Sequence, residues 1–512
     1  MATNKFSLLG LSFAPLLLTA CNGGLLVTVG PDYKTPPLPV AERWQAPQPE
    51  QLPVAHQGQA ADLLHWWERF QDPALNRFLA SAEQESYSVA NALARIEQAR
   101  ASLIGADSAL VPSIDANLSY NRSSFSIGGP AYILNQYKSG LQSDWEIDLF
   151  GGLARQQQAS MSQLESRQAS WHDARVAVAI EVADAYLNYR YCEIQVQQLQ
   201  ADAKSRQSTE KLTALAGQHG FRSVADVALS HAAAADSQKN LLEQQGQCER
   251  AIKGLVVLTA LDEVTVRKTL EQPERVAKLP NPSTFKLDSL PARVLLQRPD
   301  LAAAERDMAE ASAKIGVEQA KRFPKLSLSG NITPTLQSMN GAALALAQTW
   351  SLGPTLSLPL FDAGKRAANV QSAQAQYEAA ASNYRSKVRS AVKEVEEALV
   401  RLDSAAQRLP QAQQAESGYR QYFQASRQLF ETGLGNLLDL ETARRNHLTA
   451  ELAVKALEQE QVSAWIALYR AAGGSWDDGN PPGSATSPPI GKQTEIPPPD
   501  TNPQQAATGK KP

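Results

Sequence analysis

The sequence predicts a protein of mixed α and β structure that contains the same structural unit twice. Residues 153–216 have no Gly or Pro and are rich in Ala, Gln, Glu and Arg. Such a segment favours one uninterrupted helix, which at a rise of 1.5 Å per residue would be roughly 95 Å long. Elsewhere the chain alternates apolar and polar residues as strands do. Both features return in the second half of the chain, which indicates a tandem repeat.

The first twenty residues form a predicted export signal. Lys5 is followed by an apolar core at 6–18 and by a small-residue site that ends in Cys21. This arrangement resembles a bacterial lipoprotein signal, in which residues 1–20 are removed and Cys21 receives lipid. Asn22 follows, not the Asp that retains such lipoproteins in the inner membrane, so we expect an outer-membrane location. The alternative is an ordinary secretory signal with a chance Cys.

The segments after the signal are predicted in order. Residues 21–61 are rich in Pro and Gln and should form an extended arm. Asp72 and Pro73 suit a helix N-cap and first helical residue, and the helical pattern runs to Leu110 before Pro112 ends it. We assign the remaining boundaries as 62–272 for repeat 1, 273–287 for a connector, 288–476 for repeat 2 and 477–512 for a disordered tail.

Alternation with period two begins after Pro112. The first apolar set is Ile114, Ala116, Leu118 and Tyr120, and the second is Leu141, Trp145, Ile147 and Leu149. Strands with one apolar and one polar face suit either a soluble sandwich with one wet face or a membrane barrel with lipid outside and water inside. Asp144, Glu146 and Asp148 alternate with the second set and would need a wet lumen. Trp145 on the opposite face suits lipid or its interface.

The long helix should turn at Gly217 and Gly220, and a second helix should return from 223 to 258. The landmarks then recur at nearly constant spacing. Pro112 is matched by Pro324 after 212 positions, Phe150 by Phe361 after 211, and the Gly-x5-Asp of 220–226 by that of 433–439 after 213. A second long helix is predicted at 365–432, bent by Pro410 and Gly418, with its tip turn at Gly433 and Gly435.

Composition gives no support for catalysis. The net charge is −3 and the pI is about 6.2, so no general attraction to nucleic acid is expected. Six His and three Cys are scattered without metal-ligand spacing, and the glycines form no phosphate-binding loop. We therefore predict no enzyme activity, no cofactor and no metal site.

Cys192 and Cys248 are predicted to form a disulfide. Both belong to the exported part of the chain, and each lies 28 positions from Gly220. In an antiparallel helical hairpin that turns at Gly220, the two residues would lie side by side, roughly 42 Å from the tip. The periplasm is an oxidising compartment in which such pairs persist. The alternative is two buried free thiols.

Several ordered local motifs resemble those of the TolC-like outer-membrane factors, in the lipoprotein branch that includes OprM and NodT. They are Val29-Gly30-Pro31-Asp32-Tyr33, Trp145 to Gly151, Leu295 to Asp300, Phe323-Pro324, Leu358 to Phe361, Thr432-Gly433 and Tyr469 to Trp476. The resemblance implies a trimeric membrane protein in which each chain gives four strands to one twelve-stranded transmembrane β-barrel, continued by a long α-helical periplasmic tunnel. Four strands alone could not close a membrane barrel.

The resemblance also implies a function. The chain would be the outer-membrane exit duct of a tripartite efflux pump that exports small molecules such as drugs or toxic organics. Its partners would be two further copies of itself, a periplasmic adaptor protein, an inner-membrane transporter of the resistance-nodulation-division type and outer-membrane lipid. Two alternatives remain: an outer-membrane duct for type I protein secretion and a periplasmic coiled-coil spacer without a pore.

The predicted periplasmic gate lies at the hairpin tips. The spacings Ser223 to Asp226 and Asn436 to Asp439 suit capping boxes, so both Asp residues could serve only to stabilise helix starts. The resemblance places Asp439 in an aspartate ring at the constriction. The Tyr and Arg that bridge neighbouring hairpins in some relatives are Phe430 and Gly435 here, which predicts closure by apolar packing more than by polar bridges. The candidate gate residues are Asp226, Leu437, Leu438, Asp439, Glu441 and Thr442.

Overall fold

The structure is a computed structural model of the chain. It describes residues 27–38, 40–47, 59–126, 128–271, 277–280, 282, 284–287 and 291–474. The predicted signal, the Cys21 lipidation site and the predicted C-terminal tail lie outside the described residues, as do Ser475 and Trp476 of the last sequence motif.

Two long helical hairpins dominate the fold, as the sequence predicts. The helices are α1 Ala60–Leu63, α2 Pro73–Glu85, α3 Tyr87–Ser108, α4 Gly152–Gln218, α5 Val224–Thr259, α6 Glu263–Leu270, α7 Pro291–Leu296, α8 Pro299–Ala320, α9 Lys365–Glu431 and α10 Leu437–Ala471. Both α4 and α9 have 67 residues, which corresponds to about 100 Å each. In the described part of the chain, no helix is both long enough and apolar enough to cross a membrane.

Four strands form one antiparallel sheet in the order β1-β2-β3-β4. Their bounds are β1 Ser113–Phe125, β2 Tyr132–Ile147, β3 Lys325–Met339 and β4 Ala345–Ser357. The two strands of each repeat are neighbours, and β2 of the first repeat pairs with β3 of the second. The order leaves β1 and β4 as the two edge strands, so the hydrogen-bonding groups on their outer sides have no partner strand within this sheet.

The tandem repeat is confirmed by the matching elements. Strand β3 begins 212 positions after β1, and α9 and α10 each begin 213 positions after α4 and α5. The two hairpins also have nearly equal second helices, of 36 and 35 residues. One copy can bury its apolar stripe on the other, and the resulting core joins α2, α4, α9 and α10.

One local prediction differs from the structure. The helix expected from Pro73 to Leu110 is broken at Ser86, whose φ of −65° and ψ of 125° are extended, so α2 packs in the core while α3 takes a new direction. Helix α9 continues as one element through Pro410 and Gly418, and the bend predicted at these residues stays a prediction. Pro410 removes one backbone donor, but a helix of this length has neighbouring bonds on both sides to hold it.

An aromatic cluster packs in the core near the C-terminal end of α10. Trp66 stacks on Tyr469 with ring centroids 4.4 Å apart, and Phe70 and Phe285 meet Trp66 edge-on. The motif at 295–300 ties this region together, because Arg298 pairs with Asp300 at 2.9 Å and donates to the Ala471 carbonyl at 3.1 Å. These contacts bring together two sequence motifs that lie far apart in the chain.

Candidate functional site

The two hairpin tips have the same backbone geometry. At the first, the Phe221 N–H donates to the Ala216 carbonyl at 2.8 Å, and at the second the Leu434 N–H donates to the Leu429 carbonyl at 2.9 Å. Both are the i to i−5 bond that ends a helix with a left-handed residue. That residue is Gly220 with φ of 76° at one tip and Gly433 with φ of 79° at the other.

The other two tip glycines are required by close approach. A Cβ on Gly217, which lies in the last turn of α4, would come within 2.6 Å of the Val227 side chain. A Cβ on Gly435 would come within 3.0 Å of the Phe430 backbone nitrogen. A side chain at position 435 would require its neighbours to move by a few tenths of an ångström, so a glycine suits this close approach.

Both helix starts after the tips are capped by the residue three positions before the Asp. Ser223 Oγ accepts from the Asp226 N–H at 3.1 Å, and Asn436 Oδ1 accepts from the Asp439 N–H at 2.8 Å. The Asp439 carboxylate also accepts from Asn436 Nδ2 at 2.6 Å and is exposed. The cap therefore depends on the Asn436 side chain, and the Asp439 charge is free to face the aqueous space at the tip.

A largely buried ionic network joins the first hairpin to the second. Glu441 Oε2 of α10 lies 2.6 Å from Arg206 Nη1 of α4, and its other oxygen pairs with Arg444. Arg206 also pairs with Asp202 at 2.8 Å, and Arg444 donates to Thr209 Oγ1 at 3.0 Å. Burial lowers the pKa of the Arg444 guanidinium, and the Glu441 carboxylate opposes that shift.

A second bridge lies nearer the tips. The Arg222 guanidinium of the first hairpin lies over the Phe430 ring of the second, 4.5 Å from its centroid. Within one chain the two hairpins are therefore joined by ionic and cation–π contacts, and the expectation that the closed gate is held mainly by apolar packing stays a prediction. Sequence reasoning missed Arg206, Arg222 and Arg444, because no local pattern pairs residues more than 200 positions apart.

The two predicted gate leucines lie in different environments. Leu437 is fully buried within its own protomer, so it is unavailable for contacts with other chains. Leu438 is 63 % exposed and, with Leu434 at 81 %, presents apolar surface at the tip. Asp226 and Thr442 are partly buried.

The sheet separates apolar and polar side chains between its two faces. Directly paired residues share a face, and one face carries Leu118, Tyr137, Leu141, Ile332, Trp350 and Leu356 among others, all exposed or partly buried. The opposite face carries Asn117, Ser119, Gln136, Lys138, Asn331 and Thr349, and these line a shallow cleft of about 440 Å³. A sheet of this kind separates an apolar medium from water.

The acidic residues predicted for the lumen fall into two groups. Asp144 and Glu146 lie on the polar face of β2, where Glu146 pairs with Lys325 at 2.5 Å. Asp148 is not on the strand, because β2 ends at Ile147. Its carboxylate accepts from the Ala154 N–H at 2.9 Å and so caps the start of α4, whose N-cap Gly151 has no side chain to do so.

Hydrogen bonds and an ion pair hold the N-terminal arm at the junction between the sheet and the helices. The Val29 N–H donates to the Phe150 carbonyl at 3.1 Å, and Arg155 binds Asp32 at 2.7 Å. Tyr33 Oη donates to Glu305 at 2.7 Å on α8, and burial with this neighbouring carboxylate raises the pKa of the phenol. These contacts give the motif at 29–33 a positioning role.

The first hairpin carries a disulfide between Cys192 of α4 and Cys248 of α5. The S–S distance is 2.00 Å and the Cα atoms are 5.6 Å apart. Across the described residues, no group of three or more His, Cys, Asp or Glu side chains could hold a metal ion.

Comparison with known proteins agrees with this architecture. The family model described as outer membrane efflux protein matches residues 78–260 and 290–474, one match for each repeat. Outer membrane protein OprJ of Pseudomonas aeruginosa is 28% identical over 479 residues, covering 91% of this chain and 95% of that protein. Nodulation protein T of Rhizobium leguminosarum bv. viciae is 30% identical over 370 residues, covering 72% of each chain.

Solved structures show the same fold. The outer-membrane channel OprN is 26% identical with a TM-score of 0.75, covering 88% of this chain and 99% of that one. The Campylobacter jejuni CmeC outer membrane channel has a TM-score of 0.77 at 23% identity, covering 89% of this chain and 96% of that one. With a matching family model over both repeats and a channel fold, the chain belongs to the outer membrane efflux protein family and is an efflux channel of the outer membrane.

Proposed function

We propose that the protein is a lipid-anchored, trimeric exit duct that completes a tripartite efflux pump for small molecules. A periplasmic adaptor would dock on the hairpin tips, and an inner-membrane transporter of the resistance-nodulation-division type would feed the duct. A passive duct needs a lining and a gate but no nucleophile, so we propose no enzymatic activity. The sheet carries the proposal, because its two edges require partner strands and its two faces differ in polarity.

The proposed pore is tested directly on the purified full chain. Native mass spectrometry from detergent should give three copies, and planar bilayers should show discrete conductance steps. A monomer without conductance would overturn the duct and favour a periplasmic spacer.

The arm supports the proposed lipid anchor at Cys21. The Val27 N–H contacts the Leu149 carbonyl at 3.5 Å, close to the end of β2. Cys21 is six positions earlier, a length that spans at most about 20 Å when fully extended. The lipid would therefore lie near the end of the sheet that meets the helices, where the periplasmic surface of a membrane around the sheet would be.

Cys21→Ser is expected to abolish lipid attachment. Labelled palmitate should enter the wild type and not the variant, because the thiol is the attachment point. The variant should still assemble, since the sheet is the main proposed membrane attachment. Cys192→Ser serves as the matched control and should label as the wild type does. A wild type that takes up no label and fractionates as a soluble periplasmic protein contradicts the anchor.

Asp439→Ala is expected to reduce the cation selectivity of the closed channel and to raise its leak conductance. The variant keeps the cap, because Asn436 Oδ1 accepts from the backbone N–H of residue 439. Asn436→Ala is the matched control, since it removes the cap at a cost of about 1 kcal/mol and keeps the charge. Selectivity from reversal potentials should change in the first variant and not in the second. Identical reversal potentials in wild type and Asp439→Ala would confine Asp439 to the helix start.

A further inference from the structure

A cleft of about 460 Å³ lies between the two hairpins just above their tips. It opens to solvent and is bounded by α4, α9 and α10. Its charged and aromatic lining consists of Arg222, Arg427, Phe430, Glu431 and Arg444, and its hydroxyls are Ser205, Ser208, Thr209 and Thr213. Three cations and one carboxylate line this space. The net charge of its lining is therefore positive, whereas the exposed Asp439 carries a negative charge.

Arg222 is the cation with unused donors. Arg427 already pairs with Glu431 at 2.8 Å, and Arg444 pairs with Glu441. In the described part of the chain, Arg222 has no acidic partner, and its one specific contact is the Phe430 ring. A contact with a ring face uses none of the guanidinium N–H donors, and these donors form a fork that matches two oxygens of a carboxylate or phosphate.

The wall of the cleft also contains polar atoms without partners. Thr213 is 2% exposed and Arg444 is 4% exposed, yet Thr213 Oγ1 and Arg444 Nε have no hydrogen-bond partner. Both atoms lie beneath the surface of the wall, and buried polar atoms left unpaired are uncommon in proteins. These atoms mark a wall of the cleft whose polar groups are not all paired within one chain.

We propose that the cleft binds a small oxyanion, a carboxylate or phosphate group, held by Arg222 over Phe430 with Arg427 and the Ser205 and Ser208 hydroxyls beside it. The volume suits a phosphate or a small organic acid with its water. Because the ligand contacts both hairpins, binding favours the arrangement in which they are close together. The test of this site measures binding and does not depend on channel activity.

Calorimetric titration of the purified full chain in detergent tests the site. The probes are inorganic phosphate and, separately, citrate, each exchanged against chloride at constant low ionic strength so that screening stays the same. Saturable binding is expected for the wild type. Arg222→Gln should weaken it at least about tenfold through loss of a charge-assisted pair, and Arg222→Lys should weaken it less.

Two further variants separate binding from folding. Arg420→Gln removes a cation that pairs with Glu416 at 3.4 Å outside the cleft, and it should bind both probes as the wild type does. Phe430→Leu keeps the Arg222 charge but removes the aromatic ring beneath the guanidinium. The affinity for both probes is therefore expected to fall. Absence of saturable binding in the wild type overturns the proposal. A weaker contact of the Arg222→Gln variant with a partner protein would not rescue it. Equal affinities in wild type and Arg222→Gln also overturn it.

Discussion

Glu441→Gln is expected to loosen the hairpin tips and to raise the mean single-channel conductance. Glu441 balances two arginines, Arg206 and Arg444, and the three side chains are only 11%, 15% and 5% exposed. A neutral amide keeps one acceptor oxygen but no charge, so the buried Arg444 charge loses its compensation and the second Glu441 acceptor is lost. Removing one member of a buried ion pair costs roughly 3 kcal/mol or more, because the remaining charge is uncompensated. The first and second hairpins should then separate more often.

The matched control is Glu460→Gln. Glu460 pairs with Arg408 at 2.6 Å between α9 and α10, but these side chains are 39% and 49% exposed. An exposed pair contributes less than about 1 kcal/mol, so conductance should stay at the wild-type value. Glu441→Met combined with Arg444→Met should recover part of the lost stability, since both charges leave together. If Glu441→Gln conducts and resists protease as the wild type does, the network does not hold the tips.

The long elements of this fold were predictable because their signals are local. The 64 residues 153–216 contain no Gly or Pro, which leaves helix as their favoured state, and the left-handed tip positions suit glycines, as Gly220 and Gly433 are. The β1 to β4 strands follow from period two, which is also a local property. Equal spacing in both repeats added evidence that either copy alone would not give.

The errors occurred where tertiary contacts decide the outcome. Ser86 breaks the predicted helix, although nothing in the neighbouring residues requires it, and the reason is that α2 and α3 pack on different parts of α4. Asp148 continues the alternation of β2 in sequence but serves α4 in space. The alternation of the strand and the start of the helix overlap at this residue. Its carboxylate accepts from the Ala154 N–H of the helix and does not continue the polar face of the strand.

The bridges between the hairpins could not be read from sequence for a different reason. Arg206 and Glu441 are 235 positions apart, and an isolated Arg on a long amphipathic helix suits a solvated face equally well. The same holds for Arg222, which lies at an ordinary tip position until the fold places Phe430 beneath it. Knowledge of which helices are neighbours is needed before either pairing can be proposed.

Removal of the Cys192–Cys248 disulfide is expected to destabilise the first hairpin by up to about 4 kcal/mol. The bond joins residues separated by 56 positions, and the loop it closes contains the whole first tip. In the chain-entropy account, the cross-link lowers the entropy of the unfolded hairpin, so its loss makes unfolding more favourable. Cys192→Ala with Cys248→Ala removes the bond without leaving a thiol.

Hydrogen exchange resolved by peptide gives the measurement, and the second hairpin is a control within the same molecule. The positions equivalent to the two cysteines, 213 residues further on, are Ala405 and Gln461, so α9 and α10 have no such cross-link. Exchange should increase in α4 and α5 between the two cysteine positions and stay the same in α9 and α10. Alkylation of the wild type without reductant should modify neither cysteine. If both cysteines alkylate freely, or if exchange in the two hairpins changes equally, the cross-link does not stabilise the first hairpin.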